Sequence, residues 1–317
     1  MSMASKGQQN RPSEARLREK LHILWNEINR NKVKYVMIAP FMISFFLFVF
    51  LPALSSIILS FTNFNMLQRP DFIGYQNYAK LLLHDEVFAI AIRNTLLIAF
   101  ITGPLSYLLC FILAWLINEL SRPLRVLLTV VFYAPSISGN AYLIWKLIFS
   151  SDVYGYANSK LIDWGFLQEP VLWLQDPQYI IWIIILVQLW LSLGVSFLAF
   201  IAGLQNVDRT LYEAGAIDGV RNRWQELWYI TLPSMKPQLL FGAVMQITSS
   251  FSVGEVSMQL AGFPSVAYAG RTVLTHLIDY GTIRFEMGYA SATATLLFLS
   301  MIFANLVIQQ LLRKVGQ

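Results

Sequence analysis

Asp208-Arg209-Thr210-Leu211-Tyr212-Glu213-Ala214-Gly215-Ala216-Ile217-Asp218-Gly219 runs straight into Val220-Arg221-Asn222-Arg223-Trp224-Gln225-Glu226-Leu227-Trp228-Tyr229-Ile230-Thr231-Leu232-Pro233, a charged stretch set between two long apolar runs. Thr210 and Glu213 stand at capping-box spacing, so a short helix is predicted to start there and to stop at Gly219. A second, aromatic-rich helix then runs toward Pro233. Leu211, Tyr212 and Ile217 are expected to pack the first helix, leaving Glu213 and Asp218 to meet basic groups. Gly219 permits a bend that a side chain would obstruct. On the residues alone two readings stand: a rigid protrusion for a soluble partner to grip, or a solvated connector whose acids serve solubility.

On either side of that stretch the chain is apolar in blocks. Of its 317 residues 56% are hydrophobic and 13% charged, with a mean hydropathy of +0.54. That balance excludes a soluble globular enzyme. The apolar residues gather in stretches of about twenty, the length a helix needs to cross a hydrocarbon layer of roughly 30 Å. Six spans are drawn: Tyr35 to Phe61, Ala91 to Ile117, Leu124 to Phe149, Tyr179 to Leu204, Leu239 to Leu260 and Gly288 to Leu312. Pro40, Pro52, Pro104 and Pro135 lie inside or beside them, which neighbouring helices make tolerable by bonding the freed carbonyls. The expected fold class is an all-α polytopic membrane protein of six transmembrane helices. Its domains are a basic N-terminal segment 1–34, a transmembrane domain 35–312 containing the loop at about 205–238, and a tail 313–317.

Six crossings put both termini on one side, and the basic residues say which. With the N-terminus inside, inner segments carry 16 Lys and Arg against 6 in the outer ones. Both ends are therefore predicted to be cytoplasmic. The isoelectric point near 9.2 is a topology signal and no argument for nucleic acid. The first apolar run lacks a cleavage pattern and reads as an uncleaved helix. Leu17, Leu21, Leu24, Trp25 and Ile28 recur before it at helical spacing. They fit an interfacial helix on membrane lipid or against a partner, and equally a basic leader that only fixes topology. A lone Cys110 and three scattered histidines give no basis for a disulfide or a metal site. Aromatics of the outer segments, such as Tyr75, Trp164, Trp173 and Tyr179, read as anchors in the headgroup layer or as stacking surfaces for a ligand.

The fifth span carries Met245, Thr248, Ser249, Ser252, Glu255 and Gln259 at spacings that line one helical face. Hydroxyls and a carboxylate in hydrocarbon must face a cavity or another helix. They fit a pathway for a polar substrate or interhelical bonding, and Glu255 fits a hydroxyl acceptor or an ion-pair partner. In the last outer segment Arg271, His276 and Arg284 can attract an acidic substrate or make docking contacts.

Glu213-Ala214-Gly215, Asp218-Gly219 and Ile230-Thr231-Leu232-Pro233 resemble the cytoplasmic EAA loop of bacterial ABC importer permeases, in particular MalF-like subunits of carbohydrate importers. Ala39-Pro40, Phe72-Ile73-Gly74, Asn77-Tyr78, Asn94-Thr95-Leu96 and Pro135-Ser136 extend the likeness along nearly the whole chain. Two departures stand out. Gly215 replaces the commoner alanine, and the interval from Gly219 to Ile230 holds one residue more than is usual. The resemblance implies a type I ABC importer permease fold and, as ATPase-coupling residues, Glu213, Ala214, Gly215, Asp218, Gly219, Leu232 and Pro233. The implied partners are a second homologous permease, two cytoplasmic ABC ATPases and an extracytoplasmic solute-binding protein that delivers a carbohydrate, expected to be an oligosaccharide. The chain has no phosphate-binding loop, so it is expected to be no enzyme, with ATP and magnesium held by the ATPase subunits. Carrying over the maltose-type sugar site points to Phe132 and Ser136, to Leu191, Ser192 and Val195, and to Met245, Thr248, Ser249 and Ser252. Serines replace two asparagines of that pattern, and Phe132 and Val195 stand where tyrosines occur. An ABC permease for glycerol phosphate or another polyol is the alternative within the family. Outside it stand an ion-coupled secondary transporter, which would carry ionisable groups in several spans, and a membrane enzyme, which would need acids clustered at one face.

Overall fold

The computed structural model describes Glu27 and residues 29–313, so the periodic Leu17 to Ile28 segment and the tail beyond Arg313 lie outside the described residues. The helices are α1 (Lys32–Leu59), α2 (Glu86–Asn118), α3 (Arg122–Ile137), α4 (Tyr142–Ile148), α5 (Pro177–Leu191), α6 (Val195–Gln205), α7 (Arg209–Ile217), α8 (Arg223–Glu226), α9 (Lys236–Phe251), α10 (Gly254–Ala261), α11 (Val273–Ile278) and α12 (Met287–Arg313). Among the described residues the only extended pairing is an isolated bridge between Thr62 and Phe72. Five segments are long and apolar enough to cross a membrane: α1, α2, α5 with α6, α9 with α10, and α12.

The chain divides into two compact units at Ser56 and Ile57. In the first, α1 widens to a π-helical turn at Phe46–Phe50 just ahead of Pro52. A proline ring collides with the carbonyl four residues back, here Phe48, and the wider turn makes room for it.

The second unit is organised around α2, 33 residues and therefore about 50 Å long. Its buried side chains enter all three apolar clusters: Phe88 and Ala91 at one end, Ile98 in the middle, Cys110, Phe111 and Ala114 at the other. Small residues on its inner face (Ala91, Ala99, Gly103, Ser106, Ala114) let α6 and α9 approach closely, as interhelical packing in lipid requires. Where α6 meets α9, Gly242 lies under the Phe200 ring, and a Cβ there would come within 2.3 Å of it.

The expected third span is not one straight helix. α3 and α4 meet at 84°, because Pro135 removes a backbone donor and the chain turns through Ser138, Gly139 and Asn140. With 16 residues α3 reaches only about 24 Å, so a crossing needs both halves.

At the Asp85 end the loops lock together. Asn94 Nδ2 donates to the carbonyls of Ala269 and Arg271, and Thr95 Oγ1 accepts from the Val273 N–H. Asn77 Nδ2 donates to the carbonyls of Ser60 and Thr62, and the Tyr78 hydroxyl lies 2.7 Å from Ser60 Oγ. Arg271, 3% exposed, pairs with Asp279, which also receives Arg284 at 3.2 Å. His276 is fully buried 3.4 Å from Asp85, whose carboxylate caps α2 by accepting from Phe88 N and takes the Tyr289 hydroxyl at 2.6 Å. Arg271 and His276 are thus enclosed in the fold and unavailable to draw in an acidic saccharide. Trp173 likewise is built into its loop, its indole donating to the buried Asn158 rather than standing free as an anchor.

Burial pushes the His276 imidazole down to about 4, against the pull of the Asp85 carboxylate. Burial opposes ionisation of Asp85 too, but hydrogen bonds from Tyr289 and the Phe88 N–H outweigh it and hold that carboxyl below its usual value. A histidine depressed on folding contributes stability that is present above its unfolded pKa and lost as pH falls from about 6.5 toward about 4. Asp85 adds its own loss only below that window. Melting temperatures measured in detergent between pH 7 and about 4 should fall with acidification, and His276→Gln should flatten the slope; an unchanged slope in the variant would show that His276 does not titrate with folding.

Candidate functional site

The charged stretch folds as two helices at the Asn118 end of α2. α7 begins one residue ahead of Thr210: Asp208 is the N-cap, accepting from Thr210 N at 3.0 Å, so the Thr210 and Glu213 capping box does not form. The Asp208 carboxyl, held by that N–H, lies below its ordinary value. Asp can cap as well as Thr, and here it offers the better placed oxygen. Gly219 ends the helix with φ of +95°, and the N–H of Val220 returns to the Gly215 carbonyl. Asn222 then caps α8 through Gln225 N at 2.9 Å, while Gln225 Oε1 accepts from Arg221 N.

The packing of α7 inverts the expectation. Leu211 is 45% and Ile217 87% exposed, so neither holds the helix down. The inner face consists of Tyr212, whose hydroxyl lies 2.9 Å from Thr231 Oγ1, and Gly215, which lies against Ile230. A Cβ at position 215 would stand 2.6 Å from the Ile230 terminal methyl. That contact gives the glycine in the third place of the triplet a steric reason. Glu213, Ala214, Asp218 and Gly219 face outward with Leu211 and Ile217.

The stretch between Gly219 and Ile230 is irregular as well. Leu227–Thr231 forms a π-helical turn, which takes up one residue more than an α turn, and Leu232 follows it onto the apolar cluster around Cys110. Leu227 and Met235 are buried in the same cluster, and Pro233 is exposed.

A second set of residues gathers where three spans are interrupted: the α3–α4 bend, the gap at Ser192 to Gly194, and the gap at Ser252 and Val253. Non-helical backbone at membrane depth persists only where protein or a water-filled cavity satisfies it. The first two breaks touch, with a Cβ at Gly194 lying 3.4 Å from Ser136 Cβ. The carbonyl of Ser192 accepts from Gln246 Nε2 at 3.1 Å and from Cys110 Sγ at 3.5 Å. Gln188 Nε2 reaches Ser249 Oγ at 3.2 Å.

Of the residues read from the sequence, Thr248, Ser252, Glu255 and Gln259 are exposed on one face, with Met245 and Ser249 half-buried beside them. Val195 is 49% exposed. Phe132 packs into the Cys110 cluster, Leu191 into the Ile184 cluster, and Ser192 is buried. Ser136 is half-buried, its hydroxyl donating to the Tyr133 carbonyl. Glu255 sits in the first turn of α10, past the break, where the positive end of the helix favours a carboxylate. Sequence reasoning missed Gln188 and Gln246. Each is a single amide in an apolar run, a signal that reports a bonded partner but not which one.

Residues 96–317 match the model of the family described as binding-protein-dependent transport system inner membrane component. The chain is 31% identical to the probable ABC transporter permease protein YesP of Bacillus subtilis (strain 168), over 83% of this chain and 85% of that one. It is 30% identical to the arabinooligosaccharides transport system permease protein AraP of the same organism, over 89% and 90%. Among solved structures, one of a bacterial ABC transporter involved in the import of the acidic polysaccharide alginate superposes with a TM-score of 0.75 at 24% identity, over 93% of this chain and 99% of that one. A family model spanning the bundle from α2 onward, charged loop included, agrees with relatives aligned over most of their length: the chain belongs to the inner membrane components of binding-protein-dependent transport systems.

Proposed function

We propose that this chain is the substrate-conducting permease subunit of an ATP-driven importer for a neutral oligosaccharide. α7 and α8 face the cytoplasm, where each of two ABC ATPases grips one permease, and a solute-binding protein delivers sugar at the Asp85 end. The observation that carries the reading is the shape of α7: Glu213, Ala214 and Asp218 point outward on a helix seated on Ile230 through Gly215. Orientation follows the inner excess of Lys and Arg, and both termini are cytoplasmic, with segments 1–34 and 313–317 flanking the membrane domain 35–312. The exposed face of Thr248, Ser249, Ser252 and Glu255 is one wall of the pathway, and a second, homologous permease supplies the other. Its hydroxyls suit sugar hydroxyls. Glu255 on that face and the enclosed pairing of Arg271 weigh against a polyanion, and arabinooligosaccharide transport by one relative supports an extended neutral sugar.

Three outcomes test this in the complete transporter in proteoliposomes. Glu213→Ala removes an exposed carboxylate and should cut ATPase retention and uptake while leaving the bundle folded. Gly219→Ala, strained at φ of +95° by about 1–2 kcal/mol, should do the same. Normal uptake in both variants sinks the coupling role. Gly215→Ala should displace Ile230 and lower the stimulated ATPase rate, with Ile230→Val restoring it by giving back the space; failure of that rescue removes the steric account. Ser249→Leu with Ser252→Leu should abolish oligosaccharide uptake with the ATPases still attached, and uptake that survives makes the stripe a packing surface.

A further inference from the structure

We propose that Arg223 is a positioning residue that ties the second coupling helix to the end of α2, so that movement of the loop is delivered to the bundle along α2. This rests on the ATPase-coupling reading above. Arg223 spans two carboxylates: Nη2 lies 2.9 Å from Glu119 Oε2 just past the end of α2, and Nη1 lies 2.7 Å from Glu226 Oε2 on α8. Both acids hold its guanidinium firmly protonated. Beside this ion triad Trp224 of α8 meets Trp115 of α2, ring centroids 5.3 Å apart. Two contacts of different chemistry thus join the same two elements.

The surroundings give the tie its importance. Between the loop and the bundle lies a polar cavity of about 460 Å³, lined by Asn118, Arg125, Arg209, Tyr212 and Thr231 as well as by the triad. A hydrated space transmits displacement poorly, so force from α8 passes through side chains that bridge it. The receiving end is stiff. Arg125 Nη2 donates to the carbonyls of Asn118 and Leu120, closing the end of α2 where its last carbonyls would otherwise lack partners. From there α2 runs unbroken to Asp85, whereas the spans of α5 with α6 and of α9 with α10 are both interrupted. Leu227 and Met235 anchor the far end of the loop, while Arg223 and Trp224 join α8 to the end of α2.

Arg223 is 63% and Glu119 41% exposed, so the pair adds little to fold stability and can be removed without unfolding the protein. The test uses the complete transporter carrying Thr248→Cys, with Cys110 buried, and reads maleimide labelling in the nucleotide-free and vanadate-trapped states. Arg223→Gln and Glu119→Gln should each shrink the nucleotide-dependent change in labelling by roughly threefold or more, the size expected for loss of one charged contact. The double variant should be no worse than either single one, since both remove the same bond. Glu226→Gln, which breaks only the link within α8, should have the smaller effect. Melting temperatures should stay at the parent value. The tie is overturned if Arg223→Gln leaves the change intact while Glu213→Ala abolishes it, if the two effects add, or if Glu226→Gln matches Glu119→Gln. If no nucleotide-dependent change exists in the parent, the coupling reading fails and the tie with it.

Discussion

The carbonyl of Ser192, left without a helical partner where α5 stops and α6 has not begun, accepts from the Gly194 N–H inside the break, from Gln246 on α9 and from Cys110 on α2. In hydrocarbon an unpaired carbonyl costs several kcal/mol, so a span breaks where the local backbone and neighbouring helices together bring donors to the break. That requirement reaches outward. Gln246 must be buried against α2, which fixes the rotation of α9 about its axis. The rotation turns Thr248 to the opposite, exposed side, and Ser252 in the break and Glu255 on α10 continue the exposed face. Exposure of Thr248 and burial of the Gln246 amide are one constraint seen from two faces of α9.

A break held by side-chain donors differs from a loop. Each of the three interruptions is short, and each is bonded or packed against a neighbouring helix by polar or small residues: Ser136 at Gly194, Gln246 at Ser192, Gln188 at Ser249. Such points can exchange partners without exposing apolar surface, whereas the continuous α2 cannot shorten or bend without losing its own ladder. The bundle therefore combines two continuous members, α2 and α12, of which α2 enters every apolar cluster, with three spans that have places to flex.

The six apolar runs were legible because length and composition alone decide whether a helix can span a membrane, and the observed segments differ from the expected ones by a few residues at each end. The 84° bend was not, although Pro135 and Gly139 were in view: whether a proline kinks a span or is absorbed depends on neighbours, and Pro104 sits inside α2 without interrupting it. The loop shows a similar division. Gly219 was legible because a left-handed residue at a helix end calls for glycine. The outward turn of Leu211 and Ile217 was not, because periodicity finds an apolar face without saying what covers it. Arg271 and His276 left two readings open for a related reason: charge in an outer segment reads as available or paired alike until the fold brings Asp279 and Asp85 against it.

The two departures from the family pattern in the loop are linked by one residue. Ile230 ends the lengthened interval and also fills the space where a Cβ at position 215 would sit. The π turn at Leu227–Thr231 takes up the added residue while keeping Leu227 and Ile230 buried together and leaving Trp228 and Tyr229 exposed between them. An α turn of the same sequence would rotate the residues after it by about 100° and carry Leu232 off the Cys110 cluster. Under that geometry the π turn and the glycine are complementary. The first moves Ile230 against α7, and the second gives α7 the room to remain there.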